Sequence, residues 1–408
     1  MTKLIFLERR GCMFQFLTLL KDAHLGQISQ PDDYDYELLY QASIRHDVTA
    51  LLYNQIYRFS NFPDELKQQW KRKAIQINAL QTIRSDAFLR LYREFLKQDL
   101  KVLVLKGIVV RSLYLQPDNR PSNDEDLYVE REDVQKAKEI LLEQGFQILQ
   151  DSENVTVFVN VSSGLTIEMH TTLFSEDSKA YGSYQKFFKN AFEEAQSHMI
   201  QGCQVYSLSY EQHLLFLMMH FVKHFLHGGV GFRQLLDIIV YAEAFGADIK
   251  WDNIYKVLEK EHLLDLIKNL FAIGHQYLGF SYDHVLLPET YNEKKLDFQD
   301  LLADIWDAGI FGKSSQERVH SSTITLSAAE GEQSLRSTLF PSIKLMQEKY
   351  SYLEKMPILL PFAWVSRISH YLMNREEGSA RATVEMGQKR VKLLQKYGVI
   401  ENKEQKGA

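Results

Sequence analysis

The segment Arg120-Pro-Ser-Asn-Asp124-Glu-Asp126-Leu-Tyr-Val129 sets two carboxylates two residues apart. On a strand, side chains two apart share a face, so Asp124 and Asp126 project together while Leu127 and Val129 turn to the core. Adjacent carboxylates repel, and a divalent cation is the usual means of neutralising them. A second segment, Leu165-Thr-Ile-Glu168-Met-His170, repeats the alternation: Ile167 and Met169 face inward, Glu168 and His170 the other way. If the two strands lie side by side, three carboxylates meet at one point, the constellation of a two-metal phosphoryl-transfer site. Upstream, Lys106-Gly107 follows a short apolar run and precedes a helical pattern. A helix start there offers backbone N–H groups to phosphate, glycine permits close approach, and lysine supplies a point charge. Taken singly, each motif has a plain reading. Asp124-Glu125-Asp126 is then a solvated turn before an edge strand, and Lys106-Gly107 a tight turn with a solvated lysine. Their order along the chain is what makes the set specific.

The elements that must position these residues are legible as a change of texture. Residues 14–56 carry apolar side chains at three- and four-residue spacing, and Asn61-Phe-Pro-Asp64 breaks the pattern. Asp64 has the chemistry of an N-cap for a helix to about residue 96, with Leu80, Ile83, Ala87, Leu91 and Phe95 as its packed stripe. Residues 102–105 read as a buried strand, 108–115 as helix, 117–123 as a loop, 126–129 as a second strand, and 132–144 as a helix closed by Gly145. Three further strands are expected at 146–149, 156–161 and 165–170, the last two joined through Ser162-Ser-Gly164. Residues 101–170 thus form an α/β island in a helical chain. Beyond it, Ser209 and Gln212 have the spacing of a capping box, and the helix they open should stop at Gly228-Gly229. Another covers 232–244, and one more 364–373.

Four histidines, His213, His220, His224 and His227, lie on one stripe of the helix after Ser209. His220 and His224 have a zinc-ligand spacing, but no Glu follows the first as a metalloprotease motif requires. The stripe is better read as facing a cleft or as buried and hydrogen-bonded. Arg233 and Asp237 have the spacing of an intrahelical ion pair, a structural role, with contact to the nucleotide as the alternative for Arg233. Arg120 either meets a triphosphate or anchors its loop by ion pairing. Trp364, Arg367, Tyr371 and the basic stretch near Arg390 suggest an amphipathic helix without chemistry.

Composition narrows the function classes. The chain has 408 residues, 45% hydrophobic and 25% charged, and is poor in glycine (20) and proline (8), so it should be rich in helix. A net charge of −6 argues against extended nucleic acid as a partner. Two cysteines cannot form a disulfide framework, which points to a reducing compartment. No stretch approaches a membrane span, and Lys3, Glu8, Arg9 and Arg10 interrupt what would be the apolar core of a signal peptide, so a cytoplasmic location is expected.

The succession strand, Lys-Gly, helix, loop, Asp-x-Asp strand, helix, strands ending in Glu-x-His resembles the polymerase-β-like nucleotidyltransferase superfamily. More closely, the chain is similar to a bacterial family of uncharacterised nucleotidyltransferases. The resemblance rests on Val104-Leu-Lys-Gly-Ile108, Leu113-Tyr114, Arg120 with Asp124-x-Asp126-Leu, Gly145-Phe146 and Glu168-Met-His170. It continues through His220-x-x-x-His224, Gly231-Phe-Arg233, Leu236-Asp237, Leu339-Phe-Pro341, Tyr350 and Leu359-Leu-Pro-x-x-Trp364 with Arg367. It implies an α+β fold: a small mixed-sheet core (99–205) embedded in helical regions (1–98 and 206–400), with a disordered tail (401–408). It further implies that Asp124, Asp126 and Glu168 are catalytic and hold two Mg²⁺ ions, with Mn²⁺ as the alternative. Lys106 and Gly107 would contact the phosphates of the nucleotide, ATP among the nucleoside triphosphates. By its place before the carboxylates Arg120 is a further nucleotide-binding candidate, and His170, His220, His224 and Arg233 are the candidates to line the substrate cleft. Lys-Gly stands where the superfamily usually has Gly-Ser, and the third carboxylate is Glu168 where it is often Asp. The activity implied is transfer of a nucleoside monophosphate to a hydroxyl-type acceptor, a small molecule or a protein, with release of pyrophosphate. The rivals are a catalytically silent nucleotide-binding regulatory or toxin–antitoxin-type module, a structural helical protein in which the acidic turn is incidental, and a Mg²⁺-dependent phosphohydrolase.

Overall fold

The computed structural model describes residues 2–287, 292–310, 316–330, 343–347, 350, 352–373 and 379–400. Leu339-Phe-Pro341 and the tail from residue 401 lie outside the described residues. Four helices lead the chain: α1 (Thr2–Leu25), α2 (Tyr36–Arg45), α3 (Thr49–Ile56) and α4 (Asp64–Lys97). Asp64 does not cap α4 but begins it. Pro63 occupies the N-cap position with no side-chain bond, and Asp64 and Glu65 instead place negative charge in the first turn. Nor does the expected stripe hold throughout. Leu91 and Phe95 are buried, but Ile83 is 49% exposed and Leu80 is exposed too. The inward face of that half carries Gln81 and Ser85, because it packs on a polar loop rather than on the sheet.

The sheet runs β3-β4-β5-β2-β1-β7-β6. Its strands are β1 (Leu103–Val104), β2 (Asp124–Tyr128), β3 (Gln147–Asp151), β4 (Val155–Asn160), β5 (Leu165–His170), β6 (Gln196–Ile200) and β7 (Cys203–Ser207). Neighbours β2 and β5 are parallel, as are β1 and β7; the other pairs are antiparallel. Short α5 (Gly107–Arg111) follows β1, and α6 (Val134–Glu143) follows β2. The helix expected over 108–115 therefore ends four residues early. The β6–β7 hairpin lies beyond the expected α/β island. Its turn places both Gln201 (φ 46°) and Gly202 (φ 72°) in the left-handed region, the geometry of a two-residue hairpin turn. The alternation Cys203, Val205, Ser207 inward and Gln204 outward was the available signal.

Two apolar cores flank the site. One joins Phe88, Tyr92 and Phe95 of α4 to Leu127, Phe158, Ile167 and Met169 of the sheet. The other lies within the helices, above all α7 (Tyr210–His227) and α8 (Phe232–Phe245), which contribute Met218, Phe225, Leu236 and Ile239 to it. Ser209 caps α7 as expected, accepting from the N–H of Gln212 at 3.5 Å. Helix Leu360–Met373 takes Pro361 into its first turn, where the missing N–H costs nothing. No helix among the described residues is long and apolar enough to cross a membrane.

Candidate functional site

Strand alternation sorts the three acids of β2. In the β2–β5 register Asp126 stands opposite Glu168, Tyr128 opposite His170, and Asp124 opposite Thr166. The intervening Glu125, only 1% exposed, points the other way. Its Oε1 meets Arg111 Nη2 at 3.0 Å and its Oε2 accepts the Ile108 N–H at 2.7 Å. The carboxylate occupies the space beside Gly107, where a Cβ would lie 1.7 Å from Oε2, and the glycine holds φ at +47°. Gly107 is thus fixed by both sterics and backbone conformation. The phosphate cradle expected at this helix start is correspondingly reduced: α5 has five residues, and the Ile108 N–H is spent on Glu125.

On the opposite face, Asp126 is 3% exposed and has a nitrogen donor against each oxygen. Lys106 Nζ lies 3.0 Å from Oδ2, and His170 Nε2 lies 3.3 Å from Oδ1 and 3.6 Å from Glu168 Oε2. One donor atom each from Asp126, Glu168 and His170 lies within 4.8 Å of the others, a group able to hold a metal ion. Asp124 lies outside that group, half-buried on the same strand face. Burial opposes ionisation of Asp126, but Lys106 and His170 outweigh it and hold the carboxyl well below its usual range. Glu168 moves the other way, raised by burial and by repulsion from Asp126 and Asp124. For Lys106, burial disfavours the charge, yet Asp126, Asp124 and Glu168 keep the ammonium more basic than usual.

The helical wall completes the cleft. Lys106 Nζ approaches His220 Nε2 at 3.4 Å, and His224 Nε2 approaches the same atom at 3.1 Å. An ammonium only donates, so His220 Nε2 accepts and its proton sits on Nδ1. Burial and the nearby Lys106 push His220 well below its ordinary range, and His224 likewise. A small pocket between β2 and the helices is lined by Lys106, Arg120, Ser122, Asp124, His220 and Arg233.

Other expectations resolve differently. Arg120 is buried and anchors the loop, with Nε 3.0 Å from Asp237 Oδ1 and Nη2 2.7 Å from Oδ2. Tyr114 donates to the same Oδ1 at 2.7 Å. Asp237 is therefore taken, and Arg233 pairs instead with Asp47 (3.1 Å) and the Pro121 carbonyl, not with its helical neighbour. The histidine stripe divides. His213 is sealed in the core against Tyr241, with burial pulling its pKa down to about 3, while His227 faces Tyr181 at 3.3 Å. The sequence reading missed Glu125, Arg111 and Arg84, which donates to the carbonyls of Gly164 and Ser122 and ties α4 to the strand ends. Alternation already implied that Glu125 faced away from Asp124 and Asp126; that its side was interior was the missing fact.

The site thus sets Asp126 and Glu168 on adjacent parallel strands of a mixed sheet, beside a half-buried lysine at the N-cap of α5. Residues 32–279 match the model of a family described as uncharacterised nucleotidyltransferases, and the chain belongs to that family. A solved structure, an antigenic nucleotidyltransferase-like protein from Paracoccidioides brasiliensis, is similar at 15% identity over 40% of this chain and 76% of that one, with a TM-score of 0.29. No curated protein matches the chain.

Proposed function

We propose that the protein transfers a nucleoside monophosphate from a nucleoside triphosphate to an acceptor hydroxyl, releasing pyrophosphate. The observation that carries this reading is the β2–β5 register, which sets Asp126 against Glu168 beside Lys106. Three carboxylates, Asp124, Asp126 and Glu168, share this strand face with one ammonium, an excess of negative charge suited to a divalent cation. Asp126, Glu168 and His170 would hold it, with Asp124 positioned to join them. Such an ion, Mg²⁺ or Mn²⁺, stabilises charge on the attacking and leaving oxygens when bound.

Lys106, held between Asp126 and His220, supplies the mobile positive charge for the phosphates. Glu168 has the raised pKa of a proton acceptor, and it takes the acceptor's hydroxyl proton as that oxygen bonds to the α-phosphorus and the bond to the β-phosphate breaks. The acceptor, a small molecule or a protein group, enters between β2 and the α7–α8 wall, where Arg120 and Arg233 fix the loop rather than contact the nucleotide. A chain of net charge −6 disfavours extended nucleic acid in that role, and a cytoplasmic setting suits its two free cysteines.

The test is transfer of label from α-labelled ATP, CTP, GTP and UTP into lysate fractions, with the Asp126→Ala protein alongside. Label that needs Asp126 supports the reading and its fraction identifies the acceptor class. Triphosphate binding without transfer moves the protein to the silent regulatory module.

A further inference from the structure

We propose that His170 is itself a metal ligand, and that it makes the Asp126–Glu168–His170 site select a first-row transition ion over Mg²⁺. The proposal rests on reading this cluster as the cation centre of nucleotidyl transfer, and it names the residue that sets the ion. His170 follows Glu168 by two residues on β5, so the pleat sends both side chains to the same face. The parallel register brings that face to Asp126, and β4 secures β5 from the other side by pairing Val157 with Glu168 and Val155 with His170. The three donors therefore stand on hydrogen-bonded central strands, not on a loop.

The spacings of His170 from the two carboxylates are those of neighbouring ligands round one ion, and all three donors lie within 4.8 Å of one another. Donors about 2.1–2.2 Å from a metal stand about 3.0 Å apart at an octahedral edge and about 3.5 Å apart at a tetrahedral one. His170 Nε2 lies 3.3 Å from Asp126 Oδ1 and 3.6 Å from Glu168 Oε2. Asp126 is nearly fully buried and directs its carboxylate into this space. Ligation exchanges the Nε2 proton for the ion, the imidazole then carrying its proton on Nδ1. A nitrogen donor adds little for Mg²⁺, which prefers oxygen and keeps its waters, whereas imidazole strengthens binding of ions along the Mn²⁺ to Zn²⁺ series. An all-carboxylate site would lack this discrimination.

The experiment uses full-length protein freed of metal, titrated with Mn²⁺ by electron paramagnetic resonance and with Mg²⁺ in competition. The expected preference for Mn²⁺ is about 10- to 100-fold, and His170→Ala should remove about that factor while changing Mg²⁺ affinity less than about threefold. Wild-type protein labelled with ¹⁵N-histidine should show nitrogen hyperfine coupling to bound Mn²⁺, a readout that needs no variant to fold. His170→Gln, checked by circular dichroism, should lose the coupling. Absent coupling, or equal losses for both ions, overturns the proposal and leaves His170 a hydrogen-bond partner of Asp126. Coupling without nucleotidyl transfer removes the proposed reaction but keeps the ligand; transfer without coupling does the reverse.

Discussion

Glu125 and Asp126 are neighbours on one strand, both almost wholly buried, and their surroundings are opposites. Glu125 has a guanidinium on one oxygen and a backbone N–H on the other, and its room is so filled that Gly107 cannot carry a Cβ. The Arg120–Asp237–Tyr114 cluster is matched in the same way. Across the strand, Asp126 shares one lysine with Glu168 and Asp124, and of this set Lys106 and Asp124 line a small pocket. Matched charges in a closed space hold a fold in one arrangement, whereas unmatched charges at an opening are held there by the fold at some cost in stability. The direction of each pleat decides which task a carboxylate receives.

This contrast makes separate predictions for its two sides. Glu168→Gln should lower nucleotidyl transfer by about 10³-fold or more while leaving the melting temperature unchanged or raised, because it removes a charge that burial and the neighbouring Asp126 and Asp124 disfavour. Steady-state turnover and calorimetry on the same preparation check both halves. On the other face, Arg111→Met strands the Glu125 carboxylate and should cost about 3–5 kcal/mol by denaturant unfolding, with much of that recovered in the Arg111→Met/Glu125→Leu double variant. Failure of the double variant to recover would show that Glu125 does more than balance Arg111. Gly107→Ala, which meets both Glu125 and an unfavourable φ, should destabilise by about 2–3 kcal/mol, measured the same way. The smallest effects concern the helical body. His46 and His213 are sealed neutral, each lowered to about 3 by burial, so the unfolded chain takes up their protons first. Stability should be fully present above about pH 6.5 and fall progressively toward pH 3, by about 1–2 kcal/mol per histidine between pH 7 and 5. His213→Leu should flatten part of that slope.

Much of the site was legible because strands have a period of two. Alternation alone puts Asp124 with Asp126 and Glu168 with His170, and the register sets Asp126 opposite Glu168. What alternation cannot supply is which strands are neighbours. The partners of Glu125, Arg120 and Arg233 come from separate elements, Arg120 and Asp237 standing more than a hundred residues apart. The assignment of Arg233 to Asp237 failed for that reason: local spacing permitted the pair, and a distant arginine claimed the carboxylate. The stripe on α4 was misjudged on similar grounds, since apolar periodicity marks an amphipathic helix but not whether each stretch meets a sheet or a polar loop. The β6–β7 hairpin was overlooked because its turn, Gln201-Gly202, lacks the usual Asn or Asp.

The two-residue strand β1 has a consequence for how the chain is made. Leu103 pairs with Tyr128 on one side and with Tyr206 on the other, and Tyr92 of α4 bonds both the Val102 carbonyl and the Tyr206 N–H. One flank of the sheet forms from nearby sequence, while the other waits for a segment about a hundred residues downstream. At about 5–20 residues per second, a nascent chain spends several seconds with β1 unpaired on that side before the hairpin can close it. Closure over such a separation is the slow kind of contact, so β7 docking is placed to limit the folding rate, and the interval before it is when the chain is most open to mispairing.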